Sequence, residues 1–151
     1  MNTLEFRKLP QLSYPVNEAF NTLSTNISFL GRDTKKLMLT SSRASEGKSF
    51  SSLSLARKLA ERGKRIVLVD TDLRRSRMVS TYGVKFPQDS KKYGLSHYLA
   101  GIAEQDEVLY KTRFPAAQPR PCVRASASLR PPLPPDRPRR TWGRRRRCFS
   151  P

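Results

Sequence analysis

The residues best able to do chemistry sit in two short runs. The first, Thr40-Ser41-Ser42-Arg43-Ala44-Ser45-Glu46-Gly47-Lys48-Ser49, follows the apolar residues Leu37-Met38-Leu39. A polyphosphate needs consecutive backbone N–H groups pointing inward, a helix N-terminus behind them and a lysine reaching forward. Gly47 lets the backbone approach, Lys48 suits the outer phosphates, and the Ser49 hydroxyl suits a magnesium ion. The spacing fits the second half of the Gly-x4-Gly-Lys-Ser/Thr pattern, because Ser42 holds the first glycine's place. The loop's binding residues are therefore read as Ser45, Glu46, Gly47, Lys48, Ser49 and Phe50. A mere polar turn between a strand and a helix is the competing reading.

The second run is Ile66-Val67-Leu68-Val69-Asp70-Thr71-Asp72-Leu73-Arg74. Asp70 and Asp72 are one residue apart at the end of an apolar run. In an extended segment alternate side chains share a side, so both carboxylates face one site. Beside a polyphosphate they bind magnesium, directly or through water, and one accepts a proton from an attacking hydroxyl. Capping the strand end and pairing with Arg74 or Arg75 is the alternative.

Position for these residues comes from what lies between and around them. Phe50 to Arg62 reads as a helix whose apolar stripe is Leu53, Ala56, Leu59 and Ala60, with Gly63 as its stop. Leu37–Thr40 and Ile66–Val69 read as strands buried on both faces. The order strand, phosphate loop, helix, strand, acidic loop is the nucleotide-binding end of a parallel α/β sheet. Upstream, residues 1–15 read as an extended arm. Phe20, Leu23, Ile27 and Leu30 mark an amphipathic helix over 17–30, ended by Gly31. Downstream, 74–92 reads as loop with a short helical piece, and 95–100 as a short helix closed by Gly101. Residues 104–111 read as either strand or helical turn. The single histidine, His97, reads as a surface residue of the short helix and not as a catalyst.

The chain's 151 residues have room for one domain, and its formal charge of +18 is unevenly spread. From Arg113 onward there are eleven Arg, no Lys and one acid, with nine of the twelve Pro. That composition cannot bury enough apolar surface to order itself, so 113–151 reads as a disordered tail. Pro- and Arg-rich sequence without Lys is what GC-rich coding DNA yields in a wrong frame, which reads as a frameshifted or truncated product. Both cysteines, Cys122 and Cys148, fall in the tail, indicating neither a disulfide framework nor a metal cluster. Arg144–Arg147 attracts any polyanion, with no base-reading pattern to give a specific nucleic-acid partner. No apolar run is long enough to span a membrane.

The motifs resemble the bacterial tyrosine kinases (BY-kinases) of capsular and exopolysaccharide biosynthesis. The resemblance runs from Pro15 to about Thr112. It rests on Val16-Asn17-Glu18-Ala19-Phe20, on Thr40 through Ser49, on Gly63 through Arg75 with its Asp-x-Asp-x-Arg motif, and on Gly94-Leu95-Ser96 with Leu99-Ala100-Gly101. It implies a P-loop NTPase-type parallel sheet with flanking helices over 16–112, incomplete and followed by the tail. It also implies ATP and Mg2+ as cofactors and phosphorylation of tyrosines in a neighbouring copy. A transmembrane activator that regulates polysaccharide chain length and export is the implied partner, holding the chain at the inner face of the cell membrane. By position, Lys48 and Ser49 hold phosphates and metal, Asp70 and Asp72 serve as metal partner and base, and Arg74 supports their loop.

Three departures qualify that reading. The family's Glu-x2-Arg-x2-Arg oligomer motif keeps Glu18 but has Asn21 and Ser24, which weakens self-association. A later apolar strand ending in Asp is missing, and no tyrosine follows Tyr110. The expectation is a truncated, weakly active or inactive kinase. A partitioning or septum-site type ATPase is the alternative, against which stands Arg43 where that group carries a lysine.

Overall fold

The computed structural model describes residues 3–31, 34–73, 78–87, 91–113 and 123–126. The elements, in chain order, are β1 (Thr3–Phe6), α1 (Tyr14–Phe29), α2 (Lys48–Glu61), β2 (Ile66–Val69) and α3 (Met78–Thr81). They continue with β3 (Val84–Lys85), α4 (Leu95–Leu99), α5 (Gln105–Val108), β4 (Tyr110–Arg113) and β5 (Val123–Ser126). The strands form one sheet in the order β2-β5-β4-β1-β3. β1 pairs with β4, and β2 with β5, in parallel; β1/β3 and β4/β5 are antiparallel. The expected all-parallel sheet is thus a mixed one. Its antiparallel pairs come from the short β3, which returns to β1 from far along the chain, and from a tail segment that was not expected to pair at all.

The helix that carries the phosphate loop is the best-anchored element. All four residues of the predicted α2 stripe are buried. Leu53, Ala56 and Ala60 join Phe6, Leu68, Met78 and Tyr82 in the main core, while Leu55 and Leu59 meet Phe20 of α1. Gly63 ends the helix as expected: at φ 79° its N–H donates to the Ala60 carbonyl, and the Lys64 N–H reaches the Leu59 carbonyl. That left-handed turn sends the chain back as β2, antiparallel to α2.

Several expectations need correction. The leader is no loose arm, since Leu4 and Phe6 alternate inward from β1 and are almost wholly buried. Leu37–Thr40 is not a buried strand: it forms no ladder, and Leu37, Met38 and Leu39 are 48%, 88% and 39% exposed. A strand exists only with a hydrogen-bonded neighbour, and β2 takes β5 as its neighbour. β2 itself is buried on one face only, with Val67 and Val69 about half exposed on the other. Within the segment read as a disordered tail, Val123–Ser126 lie between β2 and β4; 114–122 and 127–151, with both cysteines, are outside the described residues. Residues 104–111 prove to be both alternatives, one helical turn and then a strand.

His97 is buried rather than at the surface. Its Nδ1 accepts the Gly94 N–H at 3.2 Å, and its ring lies 5.2 Å from that of Tyr93. Burial penalises the imidazolium and pushes the pKa below the ordinary 6.5. The unfolded chain then binds a proton that the folded chain refuses. The stability contribution is fully present above pH 6.5 and is lost as pH falls through the folded value. Urea midpoints of wild type should therefore decline on acidification from pH 6.5, and His97→Asn, which keeps an acceptor for Gly94, should remove that component of the slope. For the core, Leu53→Ala should cost about 2–5 kcal/mol in urea unfolding. Leu30→Ala, at an exposed position, should stay within about 0.5 kcal/mol of wild type.

Candidate functional site

The phosphate loop is a compact turn rather than an extended connection. Ser45 at φ 65° and Gly47 at φ 88° both lie in the left-handed region. Ser45 holds that conformation despite its Cβ, at a cost of order 1–3 kcal/mol. Gly47 is the N-cap of α2, and because it has no side chain it leaves the helix start without a side-chain cap; the first turn also contains no acid. The first intrahelical bond runs from the Ser51 N–H to the Gly47 carbonyl at 2.8 Å. The N–H groups of Lys48, Ser49 and Phe50 are therefore the orphan donors of a 14-residue helix, at the positive end of its dipole. That donor set matches a phosphate.

Each residue expected at this loop has a definite place. Lys48 does not extend forward: its Nζ folds back to Ser41 Oγ at 2.5 Å and to the Arg43 carbonyl at 3.1 Å. Glu46 turns into the loop, its carboxylate accepting the Arg43 N–H at 3.1 Å. That hydrogen bond, then one from Ser41, with help from Lys48 and Ser42, holds the Glu46 carboxyl below its usual range. Ser49 is exposed in the first turn of α2. The Phe50 ring packs toward Phe20, with centroids 6.1 Å apart, so this residue offers the site only its backbone.

The acidic run follows β2, which succeeds α2 after a short turn and packs on it through Leu68, so the chain after Val69 heads back along the helix. Asp70 and Asp72 do not alternate along an extended strand as expected. They form a tight turn in which Asp70 Oδ1 accepts the Asp72 N–H at 3.0 Å, and the Thr71 carbonyl accepts the Leu73 N–H at 2.9 Å. Asp70 is half-buried and Asp72 exposed. Arg74 falls outside the described residues. Among those described, no group of three or more His, Cys, Asp or Glu could hold a metal alone. Magnesium suits such a place nonetheless, since it is commonly bound by one or two carboxylates together with substrate phosphates.

Sequence reasoning gave no role to Ser41 or to the Arg43 carbonyl, the two groups that hold the Lys48 ammonium. No spacing rule marks them, because the loop must close before they meet. A cavity of about 750 Å3 lies elsewhere, among Ile27, Leu37, Leu39, Leu55 and Val67; Lys48, Asp70 and Asp72 do not line it. On α1, Ser24 is fully buried. Asn21 Nδ2 donates to Glu18 at 2.9 Å, and the Asn21 carbonyl accepts a hydrogen bond from Arg62. Among the described residues no helix is long and apolar enough to cross a membrane.

Comparison with known proteins agrees with this geometry. Residues 37–106 match the CobQ/CobB/MinD/ParA nucleotide binding domain family. The tyrosine-protein kinase CpsD of Streptococcus agalactiae is 41% identical over 98 residues, 65% of this chain and 41% of CpsD. CpsD of Streptococcus pneumoniae is 34% identical over 115 residues, 76% of this chain and 49% of that protein. The tyrosine-protein kinase etk of Escherichia coli (strain K12) is 34% identical over 94 residues, 61% of this chain and 12% of etk. The chain thus spans less than half the length of these relatives. A solved structure, the chimerical protein CapA2B2, shares the fold with a TM-score of 0.56 at 20% identity, over 85% of this chain and 55% of that one. Over residues 37–106 the chain is similar to the CobQ/CobB/MinD/ParA nucleotide binding domain, and over its larger N-terminal part to the CpsD and etk tyrosine kinases, the resemblance its motifs led us to expect.

The backbone at Gly47 offers a direct test of the loop. A Cβ there would meet nothing within 4 Å, so Gly47→Ala carries only the strain of φ 88°. Its expected cost is about 1–2 kcal/mol in urea unfolding. An unchanged midpoint would mean that the loop does not hold this conformation in solution.

Proposed function

We propose that this chain is the nucleotide-binding part of an ATP- and Mg2+-dependent tyrosine-protein kinase of capsular or exopolysaccharide biosynthesis. The observation that carries the reading is the uncapped, acid-free N-terminus of α2 behind left-handed Gly47; Asp70 and Asp72 follow β2, the strand packed on that helix. In this reading the N–H groups of Lys48, Ser49 and Phe50 and the Lys48 ammonium hold the phosphates. Ser49 and the two aspartates hold magnesium, which when bound neutralises charge on the transferred phosphoryl group. Asp70 or Asp72 accepts the proton of the attacking tyrosine hydroxyl, and Arg74 supports the acidic loop. A tyrosine cluster on another copy is the substrate, and a membrane-spanning chain-length regulator is the partner that brings the domain to the inner face of the membrane.

The chain on its own is a weak or inactive form. Phosphoryl transfer rests on positioning and charge neutralisation. Here the apolar run before the loop pairs with no strand among the described residues. The ATPase alternative draws on the MinD and ParA members of the matched family; it expects steady hydrolysis without phosphotyrosine.

Calorimetry with ADP and Mg2+ on wild type and Lys48→Ala tests the binding claim. The expected result is weak uptake by wild type, reduced about tenfold or more in the variant, since a hydrogen bond from a charged group is lost. Phosphotyrosine on a full-length CpsD-type partner should be scant. Absence of nucleotide uptake would remove the kinase reading, and turnover of ATP without any phosphotyrosine would favour the ATPase.

A further inference from the structure

The phosphate loop already contains an anion of its own. The Glu46 carboxylate, itself exposed, accepts the Arg43 N–H at 3.1 Å across the left-handed Ser45. The same Arg43 carbonyl and the adjoining Ser41 hydroxyl hold the Lys48 ammonium. Residues 41–48 therefore close on themselves, with one acid and one base each spent on the loop's own backbone. The Ser41 and Ser42 hydroxyls also favour the charged form of Glu46.

We propose that Glu46 latches the loop shut against the nucleotide: its carboxylate holds the Arg43 amide and must release it before a polyphosphate is taken up. This rests on the nucleotide-binding reading above and adds to it a regulatory residue of the same site. Displacement frees the Arg43 amide and lets Lys48 turn from Ser41 toward the incoming phosphates. The carboxylate also repels a bare polyphosphate more than one whose charge magnesium has partly neutralised. Glu46 thus biases the loop toward the metal-bound nucleotide.

Three variants of the full chain separate the possibilities, with ADP, with and without Mg2+, and pyrophosphate as calorimetric probes. Glu46→Gln removes the charge, whereas Glu46→Asp keeps it on an arm one methylene shorter that falls short of the Arg43 amide. The latch predicts that both tighten binding by about two- to fivefold, the range open to an exposed charged contact. It predicts a larger gain for metal-free ADP and pyrophosphate than for Mg-ADP. Without any ligand, amide exchange at Arg43 should be faster in both variants than in wild type. If Glu46→Asp matches wild type while Glu46→Gln binds more tightly, general repulsion is at work and the latch is refuted. Unchanged affinities and Arg43 exchange in both, with Lys48→Ala still abolishing uptake, would overturn the latch and leave the nucleotide site standing. If no probe binds wild type, the nucleotide reading itself fails and takes the inference with it.

Discussion

The site depends on how firmly α2 is gripped. Leu53, Ala56 and Ala60 are buried against Phe6 of β1 and Leu68 of β2, and Leu55 and Leu59 against Phe20 of α1. Because a side chain on one strand and a side chain on its neighbouring helix share this core, the helix cannot rotate without opening it. Its N-terminal donors are consequently aimed by packing and not by the loop. Gly63 turns the chain from α2 into β2, and Asp70 and Asp72 follow that strand. The aim of those donors is a consequence of hydrophobic burial several residues away.

What the sequence disclosed follows from which signals are local. The α2 stripe, the Gly63 stop and β2 at Ile66–Val69 stand where their periodicity and turn residue put them. Helix patterns are self-contained, since a stripe and a stop need only the residues that make them. Strand pairing is not. Leu37–Thr40 has the composition of a buried strand yet has no ladder partner, and nothing inside the four residues reveals that. The reverse holds for β1, whose Leu4 and Phe6 alternate correctly but sit in a proline-bounded leader that reads as an arm. In β5, Val-Arg-Ala-Ser does alternate, but four residues inside a Pro- and Arg-rich stretch are too few to mark a strand; β2 and β4 on either side supply its order.

The site divides along the same line. Residue types and spacing were enough to bring Gly47, Lys48 and Ser49 to a helix start and the two aspartates to a strand end. Side-chain orientation was not legible. Lys48 folding back to Ser41, Glu46 reaching the Arg43 amide and Asp70 capping the Asp72 amide all depend on how their turns close. His97 shows the same limit: a lone polar residue in a five-residue helix looks superficial until Gly94 and Tyr93 close around it.

The two loops also differ in how much support the described sheet gives them. The acidic loop leaves a paired strand, because β2 is in register with β5 from Ile66 to Val69. The phosphate loop leaves an unpaired segment whose leucines and methionine face solvent, while Val67 and Val69 expose a second apolar surface. Unpaired edges and open apolar faces favour association with other chains. They also leave the loop anchored at its helical end alone. A phosphate loop held at one end can still present helix N–H groups to an anion, since α2 is fixed by its own core. It cannot hold Ser41 and Arg43 at a set distance from Asp70, which transfer to an acceptor requires to within an ångström or so. Binding therefore asks less of this fold than catalysis does, and the packing of α2 supplies what binding needs.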